Sequence, residues 1–170
     1  MKQYIGTKLI EAEPAILYEL KEGGHFLKKA SEEWTPETSN ILSLSSSFRE
    51  GYAVRYPDGY ESWSPKDVFE RAYLPLTVNP ALKTDQPSIS QEMVDDFILE
   101  TWTQTLGDKC TVVRAMLRNG FEIVESSACV IPENYDENLG REICLKKIKD
   151  KVWGLLGFLL QTAVGGVSGK

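Results

Sequence analysis

Histidine is almost missing from this sequence: His25 is the only one in 170 residues. With no second imidazole, neither a Ser–His nor a Cys–His catalytic pair forms near the more ordered C-terminal half. Cysteine is scarce too. Cys110, Cys129 and Cys144 are odd in number and show no CxxC spacing. Tetrahedral zinc and a disulfide framework are therefore not expected, and buried free thiols in a reducing compartment are. Long apolar runs are also lacking. The most apolar stretch, Val152–Val164, has 13 residues, against about 20 for a membrane span, and reads as a buried helix. The N-terminus shows no secretory leader with a long apolar core. Neither GxGxxG nor GxxxxGK[ST] is present. Glu122 and Glu125 fall on opposite faces of one strand, so they form no acid–base pair. A catalyst is not expected, nor a metal or cofactor.

What is present is ordinary for an independently folding chain: 42% hydrophobic and 26% charged residues. The formal charge of −6 is unevenly spread, since residues 1–108 hold 10 Lys/Arg and 18 Asp/Glu while 109–170 hold 9 and 7. That distribution disfavours long nucleic acid. A local pocket for a small anion remains open to it, because such a pocket depends on local geometry rather than net charge.

The pattern predicts an α+β protein in two parts: a small β-hairpin/helix domain over 1–74, a Pro-containing linker over 75–87, a helix–hairpin–long-helix domain over 88–164, and a fraying tail over 165–170. In the first part, Tyr4–Ala12 reads as a strand, residues 15–30 as a short helix ending at Gly23-Gly24, and Ser39–Ser47 as a loop. Strands near 51–56 and 60–63 flank a Pro57-Asp58-Gly59 turn, and Ser64 with Pro65 starts a helix. Tyr60 and Trp63 suit packing of this hairpin better than a ligand platform. In the second part, Ser88 and Gln91 have capping-box spacing before a helix to about Thr105. Thr111–Leu117 and Phe121–Val130 form a hairpin about Asn119-Gly120. Asn134 and Glu137 cap a helix over about 135–162.

On an ideal helix turning about 100° per residue, Ile148, Val152, Leu155 and Leu159 share one stripe with Arg141. A cation on an apolar stripe, near a positive helix start, needs an anionic partner: a carboxylate such as Glu137 or an anionic ligand. Gly140 beside it allows close approach. Lys147 and Lys151 lie four apart on a flank, where solvated charge is the ordinary outcome. Phe121 follows the hairpin turn and suits either a core or a stacked base. Arg114 alternates with Val112 and Met116 and faces a packed surface or a cleft.

The blocks Leu117–Val130, with Asn119-Gly120-Phe121 and Glu125-Ser-Ser-Ala-Cys129, then Pro132–Cys144, with Asn134-Tyr-Asp-x-x-x-Gly140, then Ile148–Gln161 resemble the phage Thoeris anti-defence protein one family over about residues 88–162. The resemblance implies a non-enzymatic sponge in the cytoplasm of an infected bacterium. Such a sponge sequesters glycocyclic ADP-ribose, and in some members cyclic trinucleotides at a separate site, and assembles into dimers and hexamers with pockets between subunits. It implies ligand contacts at Asn134 and Arg141, with Phe121, Lys147 and Lys151 around them; Tyr135 and Arg114 complete the candidate set. The N-terminal half departs from the family and looks like a small acidic phage domain. The competing expectation is a protein-interaction module that inhibits a host protein.

Overall fold

The computed structural model describes residues 1, 3, 6–84 and 86–168. The chain divides into two compact units, Lys8–Pro75 and a second comprising Met1–Thr7 with Leu76–Lys170. Both are mixed α and β, so the class is α+β.

In the unit Lys8–Pro75, strands β1 (Glu11–Leu20), β2 (His25–Lys29), β3 (Ser45–Arg55) and β4 (Glu61–Pro65) form an antiparallel sheet in the order β2-β1-β3-β4. The helix expected over 15–30 is instead the β1–β2 hairpin. Gly23 and Gly24 both take positive φ (90° and 93°) and turn the chain back, and β1 then pairs along its length with β3. That ladder outweighs the weak helical pattern. Of the strand expected from Tyr4, Tyr4 and Ile5 lie outside the described residues, and β1 begins only at Glu11. The expected loop at Ser39–Ser47 is also replaced. Thr35 accepts a hydrogen bond from Thr38 N at 3.2 Å and starts helix α1 (Pro36–Ser43), while Ser45–Ser47 open β3; a threonine cap followed by proline outweighs serine content.

The Tyr56–Tyr60 turn forms where Pro57-Asp58-Gly59 marks it, with Gly59 at φ 85°. Ser64 does not cap the next helix. It and Pro65 still pair with Tyr52 and Gly51 in β4, and α2 (Lys66–Ala72) begins after them. Phe69 of α2 stacks on Tyr52 at 4.1 Å. Trp63 is half-buried over Gly51, while Tyr60 stays exposed.

In the second unit, only Gln91–Phe97 is helical (α3). Its cap is Ser90, not Ser88; Ser90 Oγ accepts from Met93 N at 3.2 Å. From Ile98 to Leu106 the chain is strand β5, a correction of the helix expected to Thr105. Thr101, Thr103 and Thr105 alternate with more exposed residues at period two; β-branched alternation beside a free partner strand favours a ladder. The expected hairpin thus becomes a three-stranded sheet, β5-β6-β7, with β6 at Cys110–Leu117 and β7 at Glu122–Ala128. A 3₁₀ turn (Pro132–Asn134) leads to α4 (Glu137–Gly165). The tail beyond α4 carries Gly166 at φ 77°; Gly169 and Lys170 of it lie outside the described residues.

Helix α4 buries Gly140, Cys144, Ile148, Val152 and Leu156 against Thr111, Val113, Ala115, Leu117 and Ile123. Each large apolar side chain here is worth about 1.5–3 kcal/mol. The buried residues recur every four positions, and each step of four overshoots a full turn by about 40°. The contact row is therefore a ridge drifting around the helix as it crosses the sheet, not a fixed angular stripe. This corrects the stripe expected from sequence: Leu155, Leu159 and Arg141 have rotated off it and are exposed.

The closest approach is at Gly140, where an added Cβ would stand 2.7 Å from Thr111 Cβ, itself in the central strand. Gly140 therefore serves helix–sheet packing, not approach of a ligand. Gly140→Ala should cost about 1–3 kcal/mol by overpacking. Gly157→Ala, where nothing lies within 4 Å of the new Cβ, should instead stabilise by up to about 1 kcal/mol. Urea denaturation of the two variants checks the contrast; equal effects would contradict the seat on β6.

Candidate functional site

The β6–β7 turn positions the first candidate. Gly120 N donates to Leu117 O at 2.8 Å, Leu117 N donates to Phe121 O at 2.8 Å, and Gly120 takes φ 82°. This is a type I turn closed by a glycine bulge, tightened by Phe121 N donating to Asn119 Oδ1. It delivers Phe121 to the surface, 56% exposed, at one end of β7. There a groove of about 430 Å³ opens between β7 and α4, lined by Phe121, Glu122, Val124, Lys151, Gly154 and Leu155, with Ile123 beneath.

Two expected cations border β7. Lys151 is ion-paired with Glu125, and Lys147 Nζ donates to Ser126 O at 2.8 Å. Glu125 points to the α4 side and Glu122 to the opposite face, as alternation requires. Arg114 lies on that opposite face. Its guanidinium sits 4.2 Å above the Trp102 ring and 3.7 Å from Glu122, and it does not line the groove.

The helix start is a separate place. Asn134 does not cap α4; it sits exposed in the 3₁₀ turn, and Asp136 Oδ1 accepts from Leu139 N at 3.0 Å. The extra turn between Pro132 and Asn134 moves the helix start two residues onward. Asp136 and Glu137 thus already place negative charge at the positive helix end. The Tyr135 hydroxyl is engaged with Thr105 Oγ1 at 2.7 Å and Thr111 Oγ1 at 3.0 Å, tying this turn to the sheet, and Glu137 is hydrogen-bonded to Thr105. Arg141 is exposed and has no ion-pair or hydrogen-bond partner among the described residues. It stands ten residues before Lys151, about 15 Å along the helix. One copy of the chain therefore gathers Phe121 and Lys151 at the groove with Lys147 near it, and leaves Asn134, Tyr135 and Arg141 at the helix start.

Gly154, Leu155 and Val124 of the groove were not among the sequence candidates. Leu155 in particular read as core, and only the drift of the buried ridge exposes it. Of the three free cysteines expected to be buried, only Cys144 is, and that burial pushes its thiol above the usual range, while Cys110 and Cys129 are half-buried. Among the described residues, no group of three or more His, Cys, Asp and Glu is placed to hold a metal ion. No described helix is long and apolar enough to cross a membrane.

The capping assignment is testable. Asp136→Ala should cost about 1 kcal/mol, read as a lower urea midpoint. Asn134→Ala should leave stability nearly unchanged; the reverse order would return the cap to Asn134.

Residues 89–164 match the model of the phage protein (N4 Gp49/phage Sf6 gene 66) family. No curated protein and no solved structure gives a match. The matched segment holds α3, all three strands of the second sheet and nearly all of α4, and none of Lys8–Pro75. The groove and the exposed cations of α4 thus lie within the segment similar to that family, and the similarity supports a phage protein.

Proposed function

We propose that this chain is a phage anti-defence sponge. It binds cyclic ADP-ribose-type immune signals, glycocyclic ADP-ribose first among them, and sequesters them without degrading them, so that Thoeris immunity is blocked. Cyclic oligonucleotides, the signals of CBASS immunity, are a second ligand class, and the working form is a homo-oligomer in the host cytoplasm. The observation that carries the reading is the groove beside β7. Its volume falls within the range of small-molecule sites, about 300–1,000 Å³, and it joins an exposed aromatic ring to a lysine. Phe121 offers a stacking face for a base, and Lys151 with Lys147 meets the phosphates. A phosphate must compete with Glu125 for Lys151. Lys151 is 56% exposed while Glu125 is only 15% exposed, so the pair is partly buried and drawing the lysine from its carboxylate costs more than parting a surface ion pair. The sequence blocks resembling the Thoeris anti-defence family support the same ligand class, and Arg141, free of protein partners among the described residues, supplies a further cation at the other end of α4.

Calorimetric titration with glycocyclic ADP-ribose, followed by heating and identification of the released nucleotide, tests the reading. Submicromolar affinity and intact release are expected; absence of heat together with an unchanged melting temperature would overturn it. Phe121→Ala and Lys151→Ala should each weaken binding at least tenfold, about 1.4 kcal/mol. Arg141→Ala should do the same, and unchanged affinity would remove Arg141 from the site.

A second reading, a module that inhibits a host protein, is favoured by the other unit. Trp34, Phe48 and Tyr60 are all more than half exposed there, and residues 8–75 hold 12 Asp/Glu against 8 Lys/Arg. Stoichiometric recovery of a host protein, with no nucleotide bound, would replace the sponge by this reading.

A further inference from the structure

Helix α4 carries Gly140, Gly154 and Gly157 in its interior, where glycine is the residue that, proline apart, a helix tolerates least. Gly140 is explained by its seat on Thr111. Gly154 has no such explanation in the packing of the chain. A Cβ built there meets no atom within 4 Å, and its backbone does not take the positive φ that would call for glycine. What Gly154 borders is the groove beside β7, whose helix wall is Lys151, Gly154 and Leu155 and whose strand wall begins at Phe121. With about 100° of turn per residue, Lys147, Lys151, Gly154, Leu155 and Phe158 share one flank of the helix. Every other member of that flank carries a long side chain, so Gly154 is a gap in it, and the gap opens into the groove.

We propose that Gly154 sets the size and shape of what the groove accepts: its missing side chain leaves the space in which a purine lies flat between Phe121 and the helix. The inference rests on the nucleotide-binding reading above and names the part of the ligand that this wall recognises. A flat ring can lie against a helix backbone only where no Cβ stands in the way. Phe121 presents its ring from the strand side, 56% exposed, and aromatic faces stack on bases. Ile123 beneath and Leu155 beside the gap supply apolar contact. Lys151 lies one turn back on the same flank, about 4.5 Å of helix rise from Gly154, so one nucleotide reaches the base seat and the lysine together. A fused double ring fills the depth at Gly154, whereas a single pyrimidine ring leaves part of it empty and forfeits those contacts. Nothing in the structure explains Gly157, which also has open space at its Cβ position but does not line the groove; it is the natural control.

The test is calorimetric titration of the full chain with glycocyclic ADP-ribose, ADP-ribose and UDP-glucose, with melting curves and sedimentation velocity on the same samples. Gly154→Ala and Gly157→Ala should both raise the melting temperature, since each removes a mid-helix glycine into open space. Affinity for the adenine nucleotides should separate them: about threefold weaker in Gly154→Ala, about thirtyfold weaker in Gly154→Leu, and unchanged in Gly157→Ala. Stability that rises while binding falls is not what a merely structural glycine gives, and the alanine variant keeps the comparison should leucine disturb the helix. UDP-glucose should bind at least about tenfold more weakly than ADP-ribose; equal binding overturns the purine seat. Wild type and both Gly154 variants binding glycocyclic ADP-ribose alike would overturn the role of Gly154 and leave the sponge standing. Wild type binding ADP-ribose alone, with Gly154→Leu losing it, would remove the signal named above and support the seat. No binding of either adenine nucleotide would overturn both. A Gly154→Leu chain that binds normally but sediments differently would assign the gap to a protein contact and overturn the proposal.

Discussion

The seat of Gly140 on Thr111 is the constraint on which the C-terminal unit depends. Thr111 is buried in the central strand, and its hydroxyl also meets Tyr135. The same residue therefore fixes where α4 lands and where the turn before it is tied down. From that contact the helix can only proceed along its own ridge, Cys144, Ile148, Val152 and Leu156, across a sheet whose twist demands an oblique crossing. The obliquity turns Leu155 and Phe158 outward and opens the groove beside β7. A ligand-sized space here is thus a by-product of helix–sheet packing that begins fifteen residues earlier.

This explains what could be read from the residues and what could not. Turns are local chemistry, so Pro57-Asp58-Gly59 and Asn119-Gly120 mark the β3–β4 and β6–β7 hairpins. The existence of α4 was equally plain from its length and apolar content. Its buried face was not, because a wheel with fixed angles has no knowledge of the surface being crossed. β5 departs from the expected helix for a related reason: Phe97, Ile98 and Trp102 satisfy a helical spacing, and only pairing with β6 makes the threonine alternation decisive. The β1–β2 hairpin lost its identity in the same way, since ten paired residues of β3 lie well downstream of it.

The candidate site shows the same division. Phe121 was legible because its position follows from a turn. Arg141 was singled out by a premise that the fold removes, burial on the stripe, yet it emerges as a cation without a protein partner among the described residues. Asn134 and Tyr135 drew attention as a helix start, but Asp136 takes the cap and the Tyr135 hydroxyl serves the sheet. Helix N-termini attract anions only when their N–H groups and dipole are unclaimed, and here two carboxylates claim them.

The positive charge that remains for a phosphate therefore sits on side chains rather than on the helix dipole, and it sits in two places about 15 Å apart along α4. One nucleotide cannot easily use both within a single copy. In the proposed homo-oligomer, one copy's residues can meet a ligand held in another copy's groove. A site divided between subunits would also make capture depend on assembly, so protein concentration and signal concentration would act together on how much ligand is withheld.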